Sequence, residues 1–304
     1  MGSRQSQDTQ RAVLVLNGTG KTGRRVVERL QGRGVAVRAG SRSGEPPFHW
    51  QDPSTWLAAL RGTDAAFISY YPDLAAPGAA EAIAAFSELA VQNGTRRLVL
   101  LSGRGEEEAQ RSEAVLKESG ADWTVVRCSW FMQNFSESYF LEPLLEGELA
   151  LPADAIREPF VDADDVADVV VAALTDGRHA GQLYELTGPR LLRFDEAVAE
   201  IARASGETIR YAPLTIEQFA AGMADGAFRT TSSRCSATSS PRCSTVATLT
   251  WPMGSSAPSA GSRATSATTP GTPPRPASGT DREWRPESTP MSISPVRIRV
   301  GGES

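Results

Sequence analysis

Short apolar runs rich in β-branched residues alternate with amphipathic stretches over the first half of the chain. Strands are predicted at 12–17, 35–39, 65–70, 97–102 and 123–127, and helices at 21–31, 79–92 and 106–119. Strands that alternate with helices of this length indicate βαβ units joined by right-handed crossovers. We therefore expect an α/β fold, a doubly wound parallel sheet of the Rossmann type.

After residue 127 the alternation becomes irregular. Helices are predicted within 131–145 and at 164–174 and 194–204, a strand at 183–186, and smaller elements at 208–211 and 216–223. The chain divides into a disordered leader at 1–10, a Rossmann domain at 11–150, a segment at 151–228 and a tail at 229–304. We expect 151–228 to supply the last Rossmann elements and a small lobe on the substrate side.

The composition changes sharply at residue 229. Ser and Thr make up 23 of the 52 residues at 229–280, and this segment contains no Asp or Glu. Such a segment buries too little apolar surface to offset its chain entropy, so we expect 229–304 to be a disordered, low-complexity tail.

Two origins of this tail stay open. The tail is either a true low-complexity segment or a frameshift product, because GC-rich codons for 227–249 can encode an acidic amphipathic helix in the frame one base earlier. A lost helix would leave the substrate pocket open and the product inactive.

Charge is distributed unevenly between the body and the tail. Residues 1–228 carry 22 basic and 32 acidic side chains, whereas residues 229–304 carry 9 and 4. An acidic body without a lysine or arginine cluster lacks what binding to a phosphate backbone requires. We therefore expect no direct contact with nucleic acid.

The cysteine and hydrophobic patterns argue for a cytoplasmic protein. The three cysteines, Cys128, Cys235 and Cys243, show neither CxxC spacing nor an accompanying histidine cluster, so no disulfide framework or metal site is predicted. Residues 1–10 are polar, and nowhere do eighteen apolar residues run together. Neither a secretory signal nor a membrane contact is therefore expected.

A glycine motif stands between the first predicted strand and the first predicted helix. The segment 13–25 reads VLVLNGTGKTGRR, which places G-x-G-x-x-G at Gly18, Gly20 and Gly23. In this context the first glycine allows a tight turn, the second lets the backbone approach a pyrophosphate, and the third lets helix and strand pack closely. The alternative is a glycine-rich turn without a ligand. The cofactor contacts predicted in this loop are Gly18, Thr19, Gly20, Lys21, Thr22 and Gly23.

The end of the second predicted strand favours NADP (NADPH) over NAD. NAD-binding versions of the motif usually carry an acidic residue there, which binds the ribose hydroxyls. Here 35–43 reads VAVRAGSRS, with no Asp or Glu before Glu45. Ser41 and Arg42, together with Arg38, are predicted to hold a 2′-phosphate that a carboxylate would repel. The alternative is that these arginines are ordinary solvated charges.

Three segments resemble the NmrA-like family of atypical short-chain dehydrogenases/reductases, an NAD(P)-binding Rossmann family. They read GTGKTGRRVVERL at 18–30, DWTVVRCSWFMQNF at 122–135 and REPFVDADDVADVVVAAL at 157–174, and the resemblance covers roughly 11–224. The family includes NAD(P)H quinone and azo-dye reductases, ergot-alkaloid-type reductases and redox-sensing regulators. Family members usually have a proline where this chain has Cys128.

The resemblance implies further site residues. Beside the ribose and diphosphate of the cofactor it places Ser69, Tyr70 and Tyr71, and beside the nicotinamide ribose Ser102 and Gly103. To the substrate pocket it assigns Cys128, Trp130, Phe131 and Asn134. The two aromatic residues of this pocket have core packing as an alternative role. The cysteine is expected to act as a small buried hydrophobe rather than a nucleophile.

The catalytic residues are not evident from the sequence. Typical short-chain dehydrogenases use a Tyr-x-x-x-Lys pair, in which the lysine lowers the pKa of the tyrosine. The helix predicted at 106–119 contains no tyrosine, so Lys117 has nothing to activate, and Tyr139 is a weak candidate for a proton donor. Hydride delivery and orientation would then do most of the work, which suits acceptors that need little protonation.

Other polar residues have structural interpretations. The acidic run of Asp162, Asp164, Asp165 and Asp168 suits a helix N-cap and first turn better than a metal site. The two histidines, His49 and His179, lie in unrelated segments, so no catalytic triad can be built from them.

Two functions remain open at this stage. The first is an NADPH-dependent oxidoreductase that transfers hydride to a small conjugated or aromatic acceptor of the quinone, azo or iminium type. The second is a non-catalytic NADP sensor that acts through a protein partner. A homodimer also remains open.

Overall fold

The computed structural model describes residues 11–224, 282–283 and 297–301. Its helices are α1 (Lys21–Gly32), α2 (Trp56–Leu60), α3 (Ala79–Gln92), α4 (Glu107–Glu118), α5 (Leu141–Leu145), α6 (Ala163–Thr175), α7 (Phe194–Ser205) and α8 (Ile216–Ala224). Its strands are β1 (Ala12–Leu16), β2 (Val37–Gly40), β3 (Thr63–Ile68), β4 (Arg97–Gly103), β5 (Asp122–Cys128), β6 (Glu148–Leu151), β7 (Arg157–Glu158), β8 (Gln182–Thr187), β9 (Leu192–Arg193), β10 (Arg210–Pro213), β11 (Arg282–Glu283) and β12 (Arg297–Gly301).

A central sheet with the order β2-β1-β3-β4-β5-β8 carries the fold, and all six strands are parallel. The chain adds β2 on one side of β1 and then β3 on the other. The loops that follow β1 and β3 therefore leave the sheet in opposite directions and open a crevice at its carboxyl edge, which is where doubly wound sheets bind ligands. The predicted Rossmann fold is confirmed.

The outer edge of β8 pairs with β12 in antiparallel orientation, and β11 pairs with β12. The composition of 229–304 predicts disorder throughout, and the structure differs at these two strands. The segment 297–301 reads RIRVG, in which β-branched residues alternate with arginine, and such a segment can pair with an open strand edge. The rest of the tail, the proposed frameshift region and the leader lie outside the described residues.

Two apolar cores cover the faces of the sheet, because successive strand residues point to opposite sides. Val13 and Val15 of β1 belong to the core beneath α1 and α6. Leu14 and Leu16 belong to the core beneath α2, α3 and α4. The near-continuous apolar runs that the sequence shows at the strands follow from burial on both faces.

A third, aromatic core forms the lobe beside the carboxyl edge of the sheet. Phe160 and Phe194 meet edge to face with ring centroids 5.2 Å apart, and Phe135 lies 5.3 Å from Phe160. Two small sheets complete the lobe, one of β6 parallel to β10 and one of β7 antiparallel to β9. The strand β6 crosses the predicted end of the Rossmann domain at residue 150, and it pairs inside the lobe.

Within the part of the chain that the structure describes, no helix has both the length and the apolar character that a membrane crossing needs.

Candidate cofactor and substrate site

The loop between β1 and α1 forms the floor of the crevice. Asn17 adopts a left-handed backbone with φ of 53°, a conformation that asparagine tolerates better than most residues. Its carbonyl accepts a hydrogen bond from the backbone N–H of Gly20 at 2.9 Å, which closes the turn. Gly20 is the N-cap of α1, and no side chain caps this helix or places an acid in its first turn. The N–H groups of the first turn are therefore available to an anion.

Space around the three glycines explains why larger residues would not fit. A Cβ at Gly23 would overlap the backbone carbonyl of Asn17, and a Cβ at Gly18 would lie 2.8 Å from the Cβ of Ala39 on β2. The close packing that the motif predicts for the third glycine is therefore present. Gly18 also allows β2 to approach the loop, a role that the motif does not reveal.

Lys21 and Thr22 begin α1, but they point to different surroundings. The Nζ of Lys21 donates to Oδ1 of Asn134 at 2.5 Å. Burial lowers the pKa of Lys21, opposed by the nearby Glu137. Thr22 is buried, and Thr19 is exposed at the tip of the loop. The Lys21–Asn134 bond joins the predicted cofactor loop directly to the predicted substrate segment.

Ion pairs continue this connection along α1. Arg25 donates to both carboxylate oxygens of Glu137, at 2.6 and 3.0 Å, and to Asp164 at 2.9 Å. Arg29 donates to Asp164 at 2.8 Å and to Asp168 at 2.7 Å. These contacts clamp α1 against α6 and against the segment that precedes α5.

The acidic run therefore has a structural role. Asp162 caps α6 by accepting from the N–H of Asp164 at 2.8 Å, as expected, and Asp164 and Asp168 pair with the arginines of α1. Among the described residues no group of three or more potential ligands could hold a metal ion. The two histidines lie in separate parts of the fold, His49 after β2 and His179 after α6. His49 forms a bridge with Asp52, and Nδ1 of His179 lies 2.7 Å from the Tyr184 hydroxyl.

The predicted 2′-phosphate residues after β2 separate in the structure. Arg38 donates through one nitrogen to the carbonyls of Ala59 and Arg61 at the end of α2, at 2.6 and 2.7 Å. The cause is strand register, since Arg38 lies opposite Leu14 of β1 and faces the same side of the sheet. Arg42 instead lies over the ring of Tyr71, with its Cζ 5.9 Å from the ring centroid.

The three residues after β3 differ in exposure. Ser69 is buried, and its carbonyl accepts from the Trp50 indole N–H at 3.3 Å. The half-buried ring of Tyr70 lies 4.9 Å from Trp50, and burial raises the pKa of this tyrosine. Tyr71 is 53% exposed, and the Arg42 guanidinium lies over its ring. The backbone carbonyl of Ser41 forms a turn by accepting from the N–H groups of residues 44 and 48. Tyr71 and Arg42 are thus the pair that the structure brings together.

At the end of β4 the structure reveals residues that sequence reasoning missed. The Ser102 hydroxyl donates to the buried Glu113 of α4 at 2.6 Å. Arg127 of β5 donates to both carboxylate oxygens of Glu113, at 2.9 and 2.5 Å. The Ser102 side chain is therefore engaged with α4. Gly103 has no such partner, and the carboxyl group of Glu106 lies directly against it.

The predicted substrate pocket is largely built into the cores. Cys128 is 5% exposed, and burial raises the pKa of its thiol, so it serves as a small hydrophobe rather than a nucleophile. The ring of Trp130 stacks on Phe140 with centroids 6.0 Å apart. Phe131 forms a bridge to Val161 and packs against the core beneath α6. Core packing, the alternative stated for the two aromatic residues, is what these contacts favour.

Two titratable residues of the lobe, Glu158 and Tyr139, have raised pKa values. Glu158 accepts the backbone N–H of Trp130 at 3.1 Å, and burial raises the pKa of this carboxyl. Tyr139 is 37% exposed, packs on Phe140, and has its pKa raised first by burial and then by Asp73. Lys117 lies over the Trp123 ring at the far end of α4, 5.0 Å from its centroid.

Comparison with known proteins places this site in a family. A model of NAD(P)H-binding domains matches residues 48–177. An NAD(P)H azoreductase of Xenophilus azovorans is 30% identical over 236 residues, covering 68% of this chain and 78% of that enzyme. A (4-alkanoyl-5-oxo-2,5-dihydrofuran-3-yl)methyl phosphate reductase of Streptomyces griseus is 31% identical over 238 residues, covering 67% and 78%. The chain belongs to the NmrA-like family of atypical short-chain dehydrogenases/reductases, as its three motifs predict.

Solved structures share the fold at lower identity. The triphenylmethane reductase of Citrobacter in complex with NADP(H) has a TM-score of 0.57 and 16% identity, covering 71% of this chain and 83% of that one. An NADPH-dependent quinone oxidoreductase of Escherichia coli, in complex with NADPH, has a TM-score of 0.56 and 20% identity over 70% and 82%. The negative transcriptional regulator Nmra has a TM-score of 0.55 and 19% identity over 67% and 75%.

Proposed function

We propose that this protein is an NADPH-dependent reductase that transfers hydride to a small conjugated or aromatic acceptor. The observation that carries the proposal is the dinucleotide cradle. Gly18, Gly20 and Gly23 let the backbone close around the first turn of α1, whose N–H groups no side chain caps. A cradle of this kind fits a pyrophosphate.

NADPH is preferred to NADH in this proposal because of the residue that faces the crevice after β2. Arg42 lies over Tyr71, where an adenosine ribose would be held between the ends of β2 and β3. A guanidinium there attracts a 2′-phosphate, whereas the acidic residue of NAD-binding versions would repel it. Bound NADPH would supply the hydride, and the chain would orient it and exclude water.

The acceptor class follows from the relatives and from the lobe. Relatives and structural neighbours reduce, by their names, azo compounds, quinones and triphenylmethane dyes, all conjugated molecules. In this chain Met132 and Tyr139 are large hydrophobic side chains that remain exposed on the lobe segment after β5. They suit contact with a flat apolar acceptor.

Steady-state oxidation of NADPH with a panel of quinones, azo dyes and cationic dyes tests the proposal. We expect turnover with at least one class and slower turnover with NADH. Gly20→Val is the negative control. Its side chain fills the cradle at the N-terminus of α1 and should abolish turnover without unfolding the chain. Binding of NADPH without turnover of any acceptor would contradict the proposal.

That contrary result would instead support a sensor that acts through a protein partner. The fold shared with the regulator Nmra and the lack of a tyrosine on α4 favour this second function. A sensor should bind NADP and NADPH with different affinities and change a partner's activity accordingly.

A further inference from the structure

Glu106 occupies an unusual position at the carboxyl edge of the sheet. It is the N-cap of α4, yet its side chain makes no capping hydrogen bond. The carboxyl group instead turns back onto Gly103, so that a Cβ on this glycine would lie 2.5 Å from the Cδ of Glu106. Across the described residues, no hydrogen bond or ion pair engages the Glu106 carboxyl group. A glycine at this point leaves room for the carboxyl group.

The position of Gly103 places Glu106 at the reacting end of the crevice. Gly103 ends β4 and lies in register with Cys128, the last residue of β5. In a doubly wound sheet whose β1 loop holds the pyrophosphate, the remainder of the cofactor extends over the ends of these strands. The Glu106 carboxyl therefore lies at the strand ends that the nicotinamide is expected to cover.

The surroundings of Glu106 favour a neutral carboxylic acid. Burial and, to a smaller extent, the negative charge of Asp73 in the loop after β3 together raise the pKa of Glu106 to about 7. Asp73 accepts the N–H of Ala75 at 2.8 Å and also raises the pKa of Tyr139, which reaches the area from the lobe. An acid that titrates near neutral pH meets the requirement for a general acid.

We infer that Glu106 is the proton donor of the reduction, an inference that rests on the proposed function. The acceptor gains a hydride, with its electron pair, from the reduced nicotinamide. The O–H bond of Glu106 breaks as a new bond forms between that proton and the acceptor's oxygen or nitrogen atom. Glu106 is left as a carboxylate and regains its proton from water. A donor at this place supplies what the missing tyrosine and lysine pair supplies elsewhere in the superfamily.

The inference divides acceptors into two groups. Quinones and azo compounds gain negative charge on oxygen or nitrogen and therefore need a proton. Triarylmethane and iminium cations become neutral on accepting hydride alone and need none. Replacement of Glu106 should therefore slow the reduction of quinones and azo compounds and leave the reduction of the cations unchanged.

The experiment compares Glu106→Gln with wild type on a benzoquinone and on a triarylmethane cation. We expect kcat/KM for the quinone to fall by about 10² or more, while the value for the cation changes less than about twofold. The wild-type quinone rate should decline as pH rises through about 7, because the acid form is lost, and the variant should lack this step. Glu107→Gln, which alters the exposed neighbouring residue, is the matched control and should leave both rates unchanged.

A second readout needs neither cofactor nor turnover. Carboxyl ¹³C NMR of the protein, compared with Glu106→Gln, should show one glutamate that titrates near neutral pH. Titration of Glu106 in the usual range of a glutamate would overturn the inference, as would equal losses with both acceptors or no loss with either. Absence of turnover in the wild type with every acceptor would contradict the proposed function itself, together with this inference.

Discussion

The ion pair between Glu113 and Arg127 joins α4 to β5 of the sheet. The Glu113 side chain is 3% exposed and the Arg127 side chain 20% exposed, and the pair is bidentate. Ser102 also donates to Glu113. Glu113→Ala would remove the acceptor of both groups and leave a largely buried guanidinium without its main partner. Arg127 would keep only Glu185, at 3.7 Å.

The loss of unfolding free energy depends on the Arg127 guanidinium that Glu113→Ala leaves behind. Breaking a buried pair by removing one partner costs about 3–5 kcal/mol. The partial exposure of Arg127 puts the expected loss near the lower end, about 3 kcal/mol of unfolding free energy. For a folded unit of this size each kcal/mol shifts Tm by about 2–4 °C, so Tm should fall by roughly 10 °C.

Thermal unfolding followed by circular dichroism measures this loss. The matched control on the same helix is Glu108→Ala, which removes an exposed i,i+3 pair with Arg111 and should cost less than about 0.5 kcal/mol. The double variant Glu113→Leu/Arg127→Met should regain much of the stability, because an apolar pair needs no compensation. Equal Tm shifts for Glu113→Ala and Glu108→Ala would refute the reasoning.

Two further predictions concern α1. Gly23→Ala should weaken NADPH binding at least tenfold and lower Tm, because its Cβ would overlap the Asn17 carbonyl. Gly32→Ala on the same helix meets open space and should leave stability unchanged or raise it. Calorimetric titration measures the binding of both variants, and thermal unfolding measures their Tm. Hydrogen bonds from Arg25 lower the pKa of Glu137, so the stability it contributes is present above about pH 4.5 and lost as pH falls below that value. The Tm difference between wild type and Glu137→Gln, about 2–4 °C at pH 7, should therefore shrink progressively as pH falls below about 4.5, and a constant difference would contradict the assignment.

Local patterns allowed the cofactor loop to be predicted from the sequence. The apolar run of β1, the three glycines and the start of α1 are contiguous, so one segment carries the strand, the turn and the helix terminus together. The helix cap expected from the acidic run is equally local, and the structure places it at Asp162. Features of this kind depend on neighbouring residues and need no knowledge of the tertiary arrangement.

Contacts between distant segments could not be found in this way. Arg25 and Asp164 are 139 residues apart, and their pairing depends on how α1 and α6 pack side by side. Glu113 and Arg127 belong to a helix and a strand whose relative register the sequence does not display. The one sequence signal for this pair was the position of Glu113 in the apolar stripe of α4, because a carboxylate buried there needs a partner.

The direction of the Arg38 side chain follows from the alternation of residues along β2. Residues of a strand alternate between faces, and Arg38 shares its face with Leu14 and Leu16, which face α2 and α3. Period-two alternation alone would have directed its side chain away from the loop of β1. Arg42 lies beyond the strand, where alternation ends, and its placement required the structure.

We propose that Arg42 makes this crevice selective for NADP. Calorimetric titration with NADPH and NADH tests it most directly, using wild type, Arg42→Ala and, as the matched control, Arg33→Ala at the exposed end of α1. We predict that Arg42→Ala weakens NADPH binding by at least tenfold, leaves NADH binding within about twofold, and that Arg33→Ala changes neither. Equal weakening of both dinucleotides by Arg42→Ala, or no binding of NADPH to the wild type, would contradict the account.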